Sequence, residues 1–122
     1  MRKPIVWIVK EQMTRTETGS IPMDYSKAMD YGDLRFITTH DMPLYGGAST
    51  AQDGWNEDVV RFTSEYDPDH DFIITTGQPM AIFMVGWILA LCHHEKDPQF
   101  LVWRREENRY RPVRPDVSSI DS

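Results

Sequence analysis

The sequence has almost no cysteine and no long uninterrupted apolar run. Its single cysteine, Cys92, cannot form an internal disulfide, and disulfides are typical of oxidising compartments. The apolar run at residues 5–9 meets Lys10 and Glu11 at once, so it is too short for a signal peptide. A helix that crosses a bilayer needs about 20 apolar residues, and the run at residues 80–92 is far shorter. We therefore expect a cytoplasmic protein without a membrane segment.

Motifs for catalysis and for metal binding are also missing. The chain has no G-x-S-x-G hydrolase turn, no G-x-G-x-x-G and no P-loop lysine. Residues 67–71 contain three aspartates but lack the glycine and the distant glutamate of a calcium loop, so a turn is the expected structure. Adjacent ligand types rarely converge on zinc, so we expect Cys92 in the core and His93 and His94 at a helix C-terminus. Neither a metal nor a cofactor is expected.

Charge is unevenly distributed along the chain. The formal net charge is −6, with acidic residues concentrated between residues 24 and 71 and arginines near residues 104–114. An acidic middle argues against nucleic acid as a partner, because affinity for it comes from neutralised phosphates. The same pattern is compatible with an ordinary solvated surface or with a surface that mimics DNA or contacts a basic protein.

Alternating strand and helix patterns predict an α/β fold. Apolar runs rich in β-branched residues predict strands at residues 4–9, 34–38, 72–76 and 100–103, with an edge strand at residues 110–113. Helical patterns lie between these runs, at residues 24–31 before Gly32, at residues 55–66 and at residues 79–92. The spacing i, i+4, i+7 and i+11 predicts the buried stripe of the second helix, formed by Trp55, Val59, Phe62 and Tyr66. Residues 11–23 and 39–53 are predicted loops.

This order of elements predicts a small three-layer, Rossmann-like domain. Helices between strands imply right-handed crossovers, so we expect a mostly parallel sheet of about four strands with a C-terminal antiparallel hairpin strand. The helix at residues 79–92 is apolar on every side, which is typical of a helix buried in a packed layer. The tryptophans are also expected in the core: Trp7, Trp55, Trp87 and Trp103. Residues 1–115 would form the single domain, and residues 116–122 a polar, frayed tail.

Four segments resemble a family of small bacteriophage proteins. They are VWIV, DYSKAMDYGDLRFIT, DFIITTGQPMAIFMVGWILA and FLVWRREENRYRPV. The family has an opening strand, a DYS-A--YG segment before the second strand, a strand with TG followed by a long apolar helix, and a closing Y--R strand. The resemblance covers most of the chain apart from residues 11–23 and 40–54. It implies a phage origin, and hence the host cell cytoplasm, with a Rossmann-like fold; it carries over no activity.

One candidate ligand site lies at the carboxyl edge of the predicted sheet. The turn Thr76-Gly77-Gln78 precedes a helix, whose free N–H groups and dipole suit an anion. Loops after the first two strands would reach the same edge. We expect a small polar or phosphate-bearing ligand to contact Lys10, Thr39, His40, Thr76, Gly77 and Gln78. A tight turn alone would also account for the glycine, and a surface loop alone for the histidine.

Three functions are compatible with the sequence. The first is a non-enzymatic bacteriophage accessory protein that binds a nucleotide-like small molecule or a host protein. The second is a small phosphoesterase or nucleotide-modifying enzyme that uses His40, Asp41 and the turn at residues 76–78. The third is an acidic protein–protein interaction module, either a DNA mimic or an inhibitor of a host factor. The missing catalytic motifs favour the first, and the oligomeric state is left open.

Overall fold

The computed structural model describes residues 2–11, 13–40, 50–93 and 95–116. Within these residues the chain forms seven strands, a 3₁₀ helix and two α-helices. In chain order they are β1 (Ile5–Ile8), β2 (Met13–Thr16), β3 (Gly19–Pro22), the 3₁₀ helix η1 (Ser26–Asp30), β4 (Asp33–Phe36), α1 (Thr50–Glu65), β5 (Phe72–Ile74), α2 (Pro79–Cys92), β6 (Phe100–Arg104) and β7 (Arg109–Val113). The predicted loop at residues 39–53 ends early, because α1 already begins at Thr50; its residues 41–49 lie outside the described residues, as do His94 and the predicted tail from residue 117 onward.

Five strands form one mixed sheet in the order β4-β1-β5-β6-β7. β1 runs parallel to β4 and β5, β5 runs parallel to β6, and β7 is antiparallel to β6. The prediction of four parallel strands and a C-terminal antiparallel strand is therefore confirmed. The interior strand β1 is buried along its whole length, as its unbroken apolar run predicts.

The two faces of the sheet carry two separate apolar cores. On one face, Trp7 of β1 packs with α1 and α2, and so does Val9, the residue that follows the strand. Val6 and Ile8 point the opposite way and pack with Tyr25 and with Ala28 of η1. The helical stripe predicted for α1 is confirmed, since four residues on it are buried: Trp55, Val59, Phe62 and Tyr66.

Residues 11–23 contain a β-hairpin, so the prediction of a loop there is wrong. β2 and β3 pair antiparallel as a separate two-stranded sheet, with Met13 opposite Pro22 and Thr16 opposite Gly19. Gly19 has a φ of +138°, a backbone conformation that favours glycine at a tight turn. The polar strand residues gave no apolar alternation, which is the signal that predicts a strand.

The segment before β4 is shorter than the predicted helix. Only Ser26–Asp30 is helical, and it is a 3₁₀ helix. Gly32 is explained by close packing, because a Cβ at this position would lie 2.4 Å from the carbonyl oxygen of Pro4. The backbone N–H of Asp33 donates a hydrogen bond of 3.1 Å to the same carbonyl, which begins the β4–β1 pairing.

The outer side of α2 is exposed, so the prediction of a fully buried helix is wrong. Ala81, Val85 and Leu89 face the core, whereas Phe83 and Trp87 on the opposite side are 65% and 57% exposed. The prediction that Cys92 of α2 and Trp103 of β6 lie in the core is also wrong, because both are exposed. Trp7 and Trp55 are buried and His93 caps the C-terminus of α2, as predicted. None of the described helices has the length and apolar character that a bilayer crossing needs.

A buried carboxylate fixes the start of the chain to the core. Asp71 is inaccessible to solvent and accepts hydrogen bonds from Arg2 (2.9 and 2.7 Å), the Trp7 indole (2.9 Å) and the backbone N–H groups of Ile5 and Asp67 (both 3.0 Å). Burial raises the pKa of Asp71, but these hydrogen bonds outweigh it, so that the net pKa is lowered. Residues 67–71 thus form a turn, as predicted.

Candidate ligand-binding site at the carboxyl edge of the sheet

The connections after β1 and β5 leave the sheet in opposite directions. β1 leads to β4 on one side, whereas β5 leads through α2 to β6 on the other. Ligands of open α/β sheets bind at such a point, just beyond the carboxyl ends of the strands. Here Lys10 and Thr76 face each other: the Lys10 N–H donates to the Thr76 carbonyl and the Thr76 hydroxyl donates to the Lys10 carbonyl, both at 3.2 Å.

The turn after β5 has the backbone that a helix start requires. Gly77 has a φ of +140°, and a Cβ placed on it would lie 3.6 Å from the Cβ of Lys10, so backbone conformation and not space requires glycine. Gln78 is the N-cap in extended conformation and its side chain makes no capping hydrogen bond. The N–H groups of Met80 and Ala81 have no acceptor within a helix that begins at Pro79, and they point back toward the turn.

The structure places His40 against α1. Its Nε2 lies 3.9 Å from Oδ2 of Asp58, and a Cβ added at Gly54 would clash with its ring. Asp58 also accepts a hydrogen bond of 2.9 Å from the Thr38 hydroxyl and pairs with Arg61. Of the six predicted site residues, Lys10, Thr76, Gly77 and Gln78 therefore form one group, Thr39 is exposed beside β4, and His40 has its described contacts elsewhere.

A groove of about 690 Å³ lies beside this turn, at the carboxyl ends of β5 and β6. It opens on the η1 face of the sheet, because its floor residues Ile74, Leu101 and Tyr110 belong to the core on that face. The lining combines apolar, aromatic, hydroxyl and charged side chains: Met23, Asp24, Ile74, Thr75, Thr76, Leu101, Val102, Trp103, Arg105 and Tyr110. Thr76 belongs both to this groove and to the turn before α2.

An aromatic pair forms one wall of the groove. The Trp103 ring is 43% exposed and meets the Tyr110 ring edge to face, with 5.0 Å between centroids. Lys27 Nζ lies 5.6 Å from the centre of the Trp103 ring. Burial raises the pKa of Tyr110, so its phenol is a neutral group at physiological pH. Such a wall can stack a planar ring.

The groove lining also includes hydroxyl groups and one acid. The Tyr25 hydroxyl donates to Thr76 Oγ1 at 3.2 Å, since the Thr76 hydroxyl proton is already used toward Lys10. Asp24 accepts a hydrogen bond of 2.8 Å from the Ser26 N–H, which is the main reason why its pKa is lowered. The groove therefore offers a carboxylate acceptor, the Thr75 hydroxyl and the Arg105 guanidinium to a ligand, while the Thr76 hydroxyl is held by Tyr25 and Lys10.

The sequence pattern did not mark Trp103, Arg105, Tyr110 or Asp24 as site residues. Their position in the chain nevertheless indicates the site. Trp103 lies at the carboxyl end of the parallel strand β6 and Arg105 follows that strand, at the same edge of the sheet as Lys10 and Thr76. The apolar strand pattern predicts Trp103 in the core, because apolar strand residues are usually buried.

A second cavity of about 180 Å³ lies between α2 and the sheet. Its lining is mainly apolar and includes Tyr66, whose hydroxyl is buried without a hydrogen-bond partner among the described residues. Burial is the main cause that raises the pKa of Tyr66 to about 12. His93 donates from Nε2 to the Thr63 carbonyl at 2.7 Å beside this cavity. Across the described ranges, no three acidic, histidine or cysteine side chains cluster as metal ligands.

The fold and the groove define a small α/β protein with room for a ligand at the carboxyl edge of its sheet. Residues 4–117 match the family described as Phage Pam3 gp32-like protein. The match spans nearly the whole chain, so the protein belongs to this family of bacteriophage proteins, and the predicted phage origin is confirmed. No curated protein and no solved structure matches the chain significantly.

Proposed function

We propose that this phage protein is a non-enzymatic accessory protein that binds a nucleotide-like, phosphate-bearing small molecule in the groove at the carboxyl edge. One observation carries the proposal: an exposed aromatic ring, a guanidinium and hydroxyl groups line a single groove next to a helix N-terminus. Its volume of about 690 Å³ lies within the roughly 300–1,000 Å³ of small-molecule sites.

Each part of a nucleotide has a matching group. The base would stack on Trp103, whose ring is exposed and held by Tyr110. Phosphate oxygens would bind Arg105 or the N–H groups that follow Gln78. The Asp24 carboxylate would accept hydrogen bonds from ribose hydroxyls or from an amino group of the base.

The sheet order supports a Rossmann-like, three-layer domain for this function. If the hairpin strands β2 and β3 are left out and the five strands of the main sheet are numbered along the chain, their order across the sheet is 2-1-3-4-5. This is the order of flavodoxin-like doubly wound folds. α1 and α2 pack on one face and η1 on the other. In such folds the ligand binds at the edge where Lys10 and Thr76 meet.

The enzymatic alternative has less support. It requires His40 close to the turn at residues 76–78, but the described contacts of His40 are with Thr38, Asp58 and the backbone of α1 at Gly54. We therefore favour binding without turnover. The interaction-module alternative needs no pocket, so a measured ligand also separates it from our proposal.

Thermal-shift screening with nucleoside mono-, di- and triphosphates, followed by calorimetry and mass spectrometry of the bound compound, tests the proposal. We expect binding of unchanged nucleotide and a loss of about 1–3 kcal/mol in Trp103→Ala, with Trp103→Phe retaining most of the affinity. Arg105→Glu should weaken phosphate-bearing ligands but not the nucleoside, and Arg104→Glu, its neighbour outside the groove lining, serves as the control. A converted compound would support the enzyme, and no binding to any of these compounds would refute the proposal.

A further inference from the structure

The side of α2 that faces away from the sheet is an apolar stripe. Phe83, Trp87 and Leu91 follow one another at intervals of four residues and are 65%, 57% and 70% exposed. Met80 continues the stripe toward the start of the helix and is 40% exposed. No charged residue occurs anywhere in Pro79–Cys92. We call these four residues the α2 stripe.

So much exposed apolar surface is unusual on one helix. A helix that is apolar on every side belongs in an interior, yet the described residues cover only one side of α2. Aromatic side chains carry about 150–250 Å² each, so the α2 stripe exposes on the order of 400 Å². That area is comparable to the largest patches of stable monomers, which are often binding surfaces.

We propose that the α2 stripe packs antiparallel against the same stripe of a second copy of this chain. Two-fold symmetry requires a surface that is complementary to itself, with each contact made twice. Met80 and Leu91 lie at equal distances from the middle of α2, on either side of it, as Phe83 and Trp87 nearly do. An antiparallel pair would therefore bring Met80 to Leu91 and Phe83 to Trp87 of the second copy.

Small residues beside the stripe allow the two helices to approach. Gly86 and Ala90 are exposed, and a Cβ placed on Gly86 would meet no atom of the described residues within 4 Å. A stable interface buries about 800 Å² per partner, so the α2 stripe supplies roughly half of it. The remainder has to come from residues around the α2 stripe, and α1 packs beside α2 on the same face of the sheet.

The absence of charge from the α2 stripe favours a second copy of the chain over a basic protein as its partner. The α2 stripe has no carboxylate that could attract lysine or arginine side chains. Two chains of formal net charge −6 repel each other. Because the α2 stripe itself is uncharged, the repelling groups lie outside the contact, at distances over which salt screens their repulsion.

Sedimentation equilibrium or light scattering after gel filtration tests the dimer. We expect the protein to have twice the 14.3 kDa mass of one chain and to dissociate on dilution. Trp87→Glu should give a folded monomer by circular dichroism. Met29→Glu, an equally exposed apolar residue on the other face of the sheet, should leave the dimer intact. If Trp87→Glu does not fold, Phe83→Gln replaces it in the same measurement.

A wild-type chain that stays monomeric at high concentration would overturn the proposal. So would a folded Trp87→Glu that remains dimeric, or larger open assemblies in place of a closed pair.

Cysteine pairing tests the orientation in a Cys92→Ser background. Under oxidation, Met80→Cys and Leu91→Cys variants should form a disulfide dimer when mixed and none when incubated separately. Disulfides formed by either variant alone would contradict the antiparallel arrangement.

Discussion

Asp71 links the residues before β1, the strand itself and the turn after α1 through one buried carboxylate. The sequence predicts the turn correctly. It cannot tell which of Asp67, Asp69 and Asp71 is buried, because an aspartate suits a turn at each of these positions. The choice depends on Arg2 and Trp7, more than sixty residues away in the chain. Contacts at that separation leave no local pattern.

Removing the Asp71 carboxylate should destabilise the fold strongly. Asp71→Ala would leave the Trp7 indole and the Ile5 N–H buried without an acceptor, and we expect a loss of about 3–5 kcal/mol in the free energy of unfolding. Urea denaturation measures it. Asp69→Ala removes an exposed pair with Lys96 and should lose less than about 1 kcal/mol. Equal losses in the two variants would contradict the role of burial.

The same carboxylate should make stability depend on pH in acid. The pKa of Asp71 is lowered in the folded chain from its ordinary value of 3.8. The stabilisation is therefore complete above that ordinary value and is lost as the pH falls through the lowered pKa. Unfolding free energies of wild type and Asp71→Asn, measured from neutral pH downward, should converge below the ordinary value. Parallel curves would show that another group controls acid unfolding.

Gly77 should tolerate no side chain, although there is room for one. Its φ of +140° is strained for any L-residue, so Gly77→Ala should lose about 1–3 kcal/mol of unfolding free energy. Gln78→Ala removes a side chain without a capping bond and should change it by less than about 0.5 kcal/mol. Denaturant titration of both variants checks this, and an unchanged Gly77→Ala would indicate that the turn can relax.

The two α-helices show what periodicity can and cannot predict. The stripe of α1 alternates with polar residues, so its buried face follows from sequence, whereas the first turn from Thr50 carries none of the stripe and is missed. α2 is apolar on all sides, so its pattern predicts burial all round and does not mark which side faces the core. In the structure Ala81, Val85 and Leu89 are buried and the outer side is exposed. The β2–β3 hairpin is not predicted, because its strands lack apolar alternation. The groove is not predicted, because the sequence pattern around Trp103 is that of a core residue.

Phe62 tests the confirmed stripe of α1. The residue is 1% exposed and packs against the rings of Trp7 and Tyr66 at 5.0 and 5.4 Å. Phe62→Ala should therefore lower the free energy of unfolding by about 3–5 kcal/mol. Val60→Ala, on the exposed side of the same helix, is the matched control and should change it by less than about 0.5 kcal/mol. A melting temperature unchanged in Phe62→Ala would refute the packing.

The sheet separates the groove from the α2 stripe. The groove opens on the η1 face, and α2 covers the other face. In the proposed dimer both grooves would therefore stay open and face away from each other. Ligand affinity and dimer formation should be independent properties of the molecule.

Calorimetry on the monomeric variant checks that independence. We expect Trp87→Glu to bind the nucleotide identified in the screen with one site per chain and with the wild-type affinity. Trp103→Ala should in turn keep the wild-type mass. Affinity that falls together with dimer formation would show that the two surfaces communicate through the sheet.

The interior position of β1, between β4 and β5, has a consequence for the order of events during synthesis. The strand is made before both of its hydrogen-bonding partners, which begin at Asp33 and Phe72. Such distant pairing slows folding, because long segments must be ordered before any contact forms. Until β5 leaves the ribosome, β1 has one open edge and an apolar surface on both sides. Nascent chains that stop before Phe72 should therefore aggregate or recruit chaperones, whereas chains that extend past it can close the sheet.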